Sequence, residues 1–256
     1  MGLRSPKTVG QKFTLHDTSI LNVFPVQIIR AVTNNMANKN QNEIVLSYQD
    51  CLLRNSDVNL LKGPHWLNDT IIGFYFEYLD NHLNATDKKD ILYVSPELTQ
   101  LLKMTDPSQY DMFLEPIGVH TCKFIFFPLN NMNRKDAAGG THWSLLVYSK
   151  PEETCFHINS CKGYNGSVAE DFSKNLMLYM DCKSNQKLVE VNCPQQDNGY
   201  DCGLYVLCST DMLSPYALKN DKINDCKLDM VSVTVRSKRK ELLSLIDALK
   251  EKESCK

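Results

Sequence analysis

No stretch of this sequence is apolar for long enough to cross a membrane. Charged or strongly polar residues interrupt every hydrophobic run within about ten positions, and a spanning helix needs about 20. Charge of one sign is not in excess either. Lys plus Arg number 28 and Asp plus Glu 30, for a formal net charge of −2, which argues against a nucleic-acid binder working through bulk charge. There is no internal repeat, no Gly/Ser-rich linker and no glycine loop suited to cradling a phosphate. A secretory h-region of the usual form is missing, because His16, Asp17, Asn22 and Pro25 break up the apolar residues between positions 14 and 32. The ten cysteines are therefore read as reduced thiols of a cytoplasmic or nuclear protein, not as a disulfide framework. None of them forms a Cys-x-x-C pair. Cys155, His157, Cys161 and Cys193 fit no common zinc spacing, so no metal and no cofactor is expected.

What is present has globular proportions: 256 residues, 43% hydrophobic and 23% charged, enough chain to bury a core without a covalent or metal staple. Residues 1–43 are poor in acids, with only Asp17 before Glu43, and this weakly resembles a transit peptide. They are read as an N-terminal extension, disordered, with polar residues 34–42 as a hinge. Residues 44–256 read as one mixed domain. Ile71, Phe74, Tyr75, Tyr78 and Leu79 fall at three- and four-residue spacing, predicting a helix over 68–83. Ser95-Pro96-Glu97 predicts a helix start. Strands are predicted over 122–129, 142–148, 155–159 and 188–193, and helices over 166–180, 202–212 and 238–250. Helices flanking a small sheet give an α+β class.

The chemistry gathers around Cys202. A loop rich in Asn and Gly, residues 196–201, feeds it into an apolar helix, which places the thiol at a helix N-terminus where the dipole favours a thiolate. A nucleophilic cysteine needs a base, and the base an orienter. His142 stands at the start of one predicted strand and Asn159 at the end of the next. Antiparallel pairing would bring their side chains together. Gln196, six residues before the cysteine, can offer its amide beside the Cys202 N–H as an oxyanion hole.

Certain strings carry a resemblance: Trp66-Leu67-Asn68-Asp69, Met112-Phe113-Leu114-Glu115-Pro116, the run from Ala137 through His142-Trp143-Ser144 to Tyr148, and Gln196 to Gly203. Over about residues 44–250 the chain resembles the Ulp/sentrin-specific cysteine proteases, and within them the deneddylase branch. That resemblance implies a papain-like protease fold with a small central sheet. It implies Cys202 as nucleophile, His142 as general base and Gln196 as oxyanion donor. The substrate would be the Gly-Gly tail of a ubiquitin-like modifier, most closely the Nedd-type modifier attached to cullins, held in a tunnel closed by Trp66 and Trp143. Asp69 would lie near the basic part of that tail. The protein would act as a monomer, without nucleic acid or membrane.

One position departs from the family pattern. Where the family usually has Asp, this chain has Asn159, which can accept a hydrogen bond from imidazole but supplies no charge. Cys-His-Asn sites are chemically competent. Asn159 nevertheless leaves open an alternative, a modifier-binding protein with weakened catalysis, and a further one in which another acid takes the third role; His157 and Asp201 lie nearby in sequence, but Asp201 immediately precedes the nucleophile and is expected to point away. Acyl transfer by the same thiol is a third class of reaction, for which no coenzyme-binding loop is visible.

Overall fold

In the computed structural model, the described residues are 40–83, 90–133, 139–183 and 188–254. The predicted extension over residues 1–43 lies outside them, apart from its last four residues. From Glu43 onward the chain forms one compact unit.

That unit opens with an antiparallel hairpin, β1 (Ile44–Tyr48) and β2 (Cys51–Arg54), followed by the short helix α1 (Asn55–Leu60). Helix α2 (Asp69–Leu83) starts where Asn68 caps it: the Asn68 Oδ1 accepts the Ile71 N–H at 3.1 Å. Strand β3 (Ile91–Tyr93) and helix α3 (Pro96–Lys103) come next, the latter capped by the Ser95 hydroxyl with Pro96 in its first turn. After short helical turns between Pro107 and Thr121, among them α4 (Asp111–Leu114), the chain enters β4 (Phe124–Asn130), β5 (Trp143–Ser149) and β6 (Thr154–Ile158). Helix α5 (Gly166–Tyr179), β7 (Val189–Val191), α6 (Cys202–Asn220) and α7 (Val231–Ser254) complete it.

The central sheet has five strands in the order β3-β4-β5-β6-β7. The two outer pairings are parallel and the two inner ones antiparallel. Strands β4 to β6 are buried along their whole length because both faces are covered. Alternation sorts their side chains into two cores. Phe124, Phe126, Leu145, Val147, Phe156 and Ile158 pack toward α2, α6 and α7. Ile125, Phe127, Leu129, Leu146, Tyr148 and Cys155 pack toward α3 and α5.

The α+β class and the predicted element types hold, with shifted boundaries. Helix α6 continues to Asn220 through Pro215, and α7 begins at Val231, not at 238. The hairpin β1–β2, helix α1 and strand β3 carry too few residues for periodicity to reveal them.

Candidate active site

Cys202 is the first residue of α6 and is 2% exposed. Main-chain N–H groups of Trp143, Gly203 and Cys202 itself face its sulfur and pull its pKa down, but burial outweighs them and the thiol lies above its ordinary value. This corrects the expectation of a depressed pKa: the helix start is there, yet the site is too dry for its dipole to win.

His142 immediately precedes β5 and is buried. Its Nε2 lies 2.8 Å from Asn159 Oδ1, just beyond β6. The antiparallel pairing of β5 with β6 thus brings the two predicted partners together. The amide of Asn159 has one orientation only. Its Nδ2–H donates to the Tyr164 carbonyl at 2.5 Å, while its Oδ1 also accepts the Cys161 N–H at 3.1 Å. An amide oxygen can only accept, so Nε2 of His142 carries the proton and Nδ1 keeps the lone pair of a base. Burial pushes the imidazole below its ordinary pKa, with the Asn159 bond pulling the other way. Burial thus favours the neutral thiol and the neutral imidazole in the substrate-free site.

Cys202 and His142 open into one cavity of about 490 Å³, whose walls include Trp66, Leu67, Asp69 and Trp143. The tryptophans differ. Trp143 is 5% exposed and its indole N–H donates to Leu67 O at 3.0 Å, making it a fixed wall. Trp66 is 49% exposed, with its indole N–H on the Gly199 carbonyl of the loop that leads to Cys202. It is the ring free to cover a ligand. Asp69 shares the cavity with Glu97, and burial together with the Glu97 charge raises its pKa. Among the described lining residues there is no Lys or Arg to answer these two carboxylates, so the cavity suits a cationic group.

Gln196 stands outside the described lining of this cavity. Its Oε1 accepts from the Ser160 hydroxyl at 2.7 Å, and its Nε2 donates to the Asn198 carbonyl at 2.6 Å, which leaves the second N–H of that nitrogen uncommitted among the described residues. Asp201 points away from the site, paired with Arg239 at 2.8 Å, and does not take the third role. His157 is committed to Ser144 Oγ at 3.0 Å and Glu190 at 2.7 Å, apart from any metal set with Cys155, Cys161 and Cys193.

The family pattern for the Ulp1 protease family C-terminal catalytic domain matches residues 65–245, a span that holds Cys202, His142, Asn159 and both tryptophans. The chain belongs to the Ulp1 protease family. Among its relatives, Sentrin-specific protease 8 of Homo sapiens is 39% identical over 211 residues, covering 82% of this chain and 99% of that protein. NEDD8-specific protease 1 of Arabidopsis thaliana is 31% identical over 222 residues, covering 84% and 97%. The fold matches the solved C-terminal Ulp1 protease domain in complex with Smt3, the yeast ortholog of SUMO, with a TM-score of 0.63 at 22% identity over 88% of this chain and 97% of that one.

Sequence reasoning missed the surroundings of this family site. Tyr164, whose carbonyl sets the Asn159 amide, gives no local signal. Ser144 and His157 were findable, since they lie two residues from His142 and Asn159 and so share their face of the strands.

Proposed function

We propose that this protein is a cysteine protease that cleaves the amide or isopeptide bond after the C-terminal Gly-Gly of a NEDD8-type modifier. The observation that carries the proposal is the shared cavity, in which a thiol at a helix N-terminus and an Asn-held imidazole open between two tryptophans. Flat indole walls suit a strand without side chains, and Asp69 with Glu97 suits a basic residue upstream of it. Conjugates such as neddylated cullins, and the modifier's own precursor, are the substrates inferred, with the protein acting as a monomer.

In the reaction, Nδ1 of His142 takes the Cys202 proton as the sulfur attacks the terminal glycine carbonyl. The Cys202 N–H and the second Nε2–H of Gln196 serve the oxyanion. Collapse breaks the C–N bond, and His142 gives the proton to the leaving amine. Water then attacks the thioester and returns its proton through His142, which frees the modifier's carboxylate and restores the thiol. A neutral starting pair fits this order, because the proton moves with the attack and not before it. What supports this reading over a modifier-binding protein is that Asn159 engages Nε2 of His142 and so leaves Nδ1 as the nitrogen that can act as base.

The test is amine release from a NEDD8-type modifier bearing a C-terminal fluorogenic amide. Wild type is expected to turn over, and Cys202→Ala to fall by at least about 10³-fold while still binding. Turnover retained by Cys202→Ala would refute the assignment.

A further inference from the structure

Asn159 lacks the charge that an aspartate would bring to the imidazolium formed during the reaction, and the loop over residues 160–165 supplies two things in its place. The first is a main-chain acceptor. Tyr164 O sits 2.5 Å from Asn159 Nδ2, a contact that an amide satisfies and a carboxylate oxygen would turn into repulsion. The second is an aromatic ring. Tyr164 is 51% exposed, yet its ring centroid lies 5.3 Å from that of His142 at an interplanar angle of 48°. That is within the range at which a π-system attracts a cation. The loop is built to put Tyr164 there: Gly163 has φ 91° and Asn165 φ 56°, and the Asn165 amide is pinned by Leu129 O, His142 O and Ser144 Oγ at 3.2, 3.4 and 2.9 Å.

We propose that Tyr164 is a positioning residue that makes Asn159 a working partner for His142, its carbonyl fixing the amide and its ring steadying the imidazolium. The inference rests on the protease reading above. It adds that the site is adapted to asparagine and has not simply lost an aspartate. The other groups around His142 are Cys202 from α6, His157 from β6 with its partner Glu190, and Asp69 and Glu97 across the cavity. His157 in its charged form opposes the imidazolium, which makes an uncharged stabiliser such as the Tyr164 ring more useful.

The test separates this inference from the protease reading by following the His142 ring directly. NMR titration of His142 in full-length Cys202→Ala protein needs no turnover. In that background Tyr164→Ala is expected to move the His142 midpoint down by about half a pH unit, and Tyr164→Phe to leave it in place. In the active enzyme, Tyr164→Ala is expected to lower kcat by about three- to tenfold with KM for the modifier unchanged, and Tyr164→Phe to restore it. Asn159→Asp should raise the midpoint through its charge and yet gain less than about threefold in turnover, because its second oxygen meets the Tyr164 carbonyl. A His142 midpoint unchanged by Tyr164→Ala, or a gain of about 30-fold or more from Asn159→Asp, would overturn the proposal. Absence of turnover with the midpoint shift intact would count against the protease reading alone.

Discussion

At His142 the two largest influences oppose each other, and the nearby His157 adds to the first. Burial favours the neutral ring, and the Asn159 oxygen favours the protonated one, with burial the larger. The consequence is a pH profile. The neutral ring is the base, and a lowered pKa keeps it neutral to more acidic pH than an ordinary histidine. kcat/KM should therefore rise with pH through a midpoint below about 6.5 and stay flat through neutrality, where the buried thiol is still protonated. A midpoint above neutrality in the same fluorogenic assay would contradict this. Gly140 is a second single-residue constraint, two positions before His142. Its φ is 96°, and a Cβ there would come 1.7 Å from Asn130 Oδ1. Gly140→Ala should cost at least about 2 kcal/mol in chemical denaturation, since backbone and neighbour must both move. An unchanged midpoint would show that the loop yields freely. At this scale Cys202, His142 and Asn159 stood out because their residue types and order match a known chemistry, and the contact expected between the last two is present. Gln196 was named from the sequence as well, but Tyr164 was not, since its contact with Asn159 is made by a main-chain carbonyl that no residue type announces.

Strand pairing does the work of assembly at the next scale. His142 and Asn159 are seventeen positions apart, and only the antiparallel register of β5 on β6 unites them. The helices on the other side are locked by a buried charge cluster. Lys238 of α7 is 4% exposed and donates to Asp211 of α6 at 2.6 Å and to the Tyr75 hydroxyl of α2 at 2.7 Å. Its Nζ also lies 4.2 Å from the Tyr75 ring centroid. Lys238→Met should destabilise the protein by about 1–3 kcal/mol in denaturant titration, below the full cost of breaking a buried pair because Asp211 is about a third exposed. The double variant with Asp211→Leu should recover much of that loss, and a double-variant loss equal to the sum of the Lys238→Met and Asp211→Leu losses would rule out an interaction between the two. The same cluster explains where the reading of α7 fell short. Its first turns mix Val231 and Val235, both buried, with Arg236, Ser237 and Lys238, a stretch whose polar residues conceal a face that is in fact packed. Pro215 likewise signals an end to α6 that packing overrides.

Across the whole molecule, two cores on opposite faces of one sheet leave His142, Asn159 and Cys202 at the sheet's end, beside β5, β6 and the start of α6. The rigid parts, the sheet and the wall of Trp143, set the position of the chemistry. The half-exposed ring of Trp66 is tied by a single hydrogen bond to the loop that carries Gly199. The central claim is that the Cys202 sulfur attacks the modifier's terminal glycine carbonyl. The most direct measurement is reaction with a NEDD8-type modifier whose C-terminus carries a thiol-reactive vinyl sulfone, followed by peptide mapping in the mass spectrometer. The account requires one adduct, at Cys202, absent when His142 is replaced by Ala at neutral pH because nothing then removes the thiol's proton. An adduct at any other cysteine, or none while the modifier still binds, would contradict it.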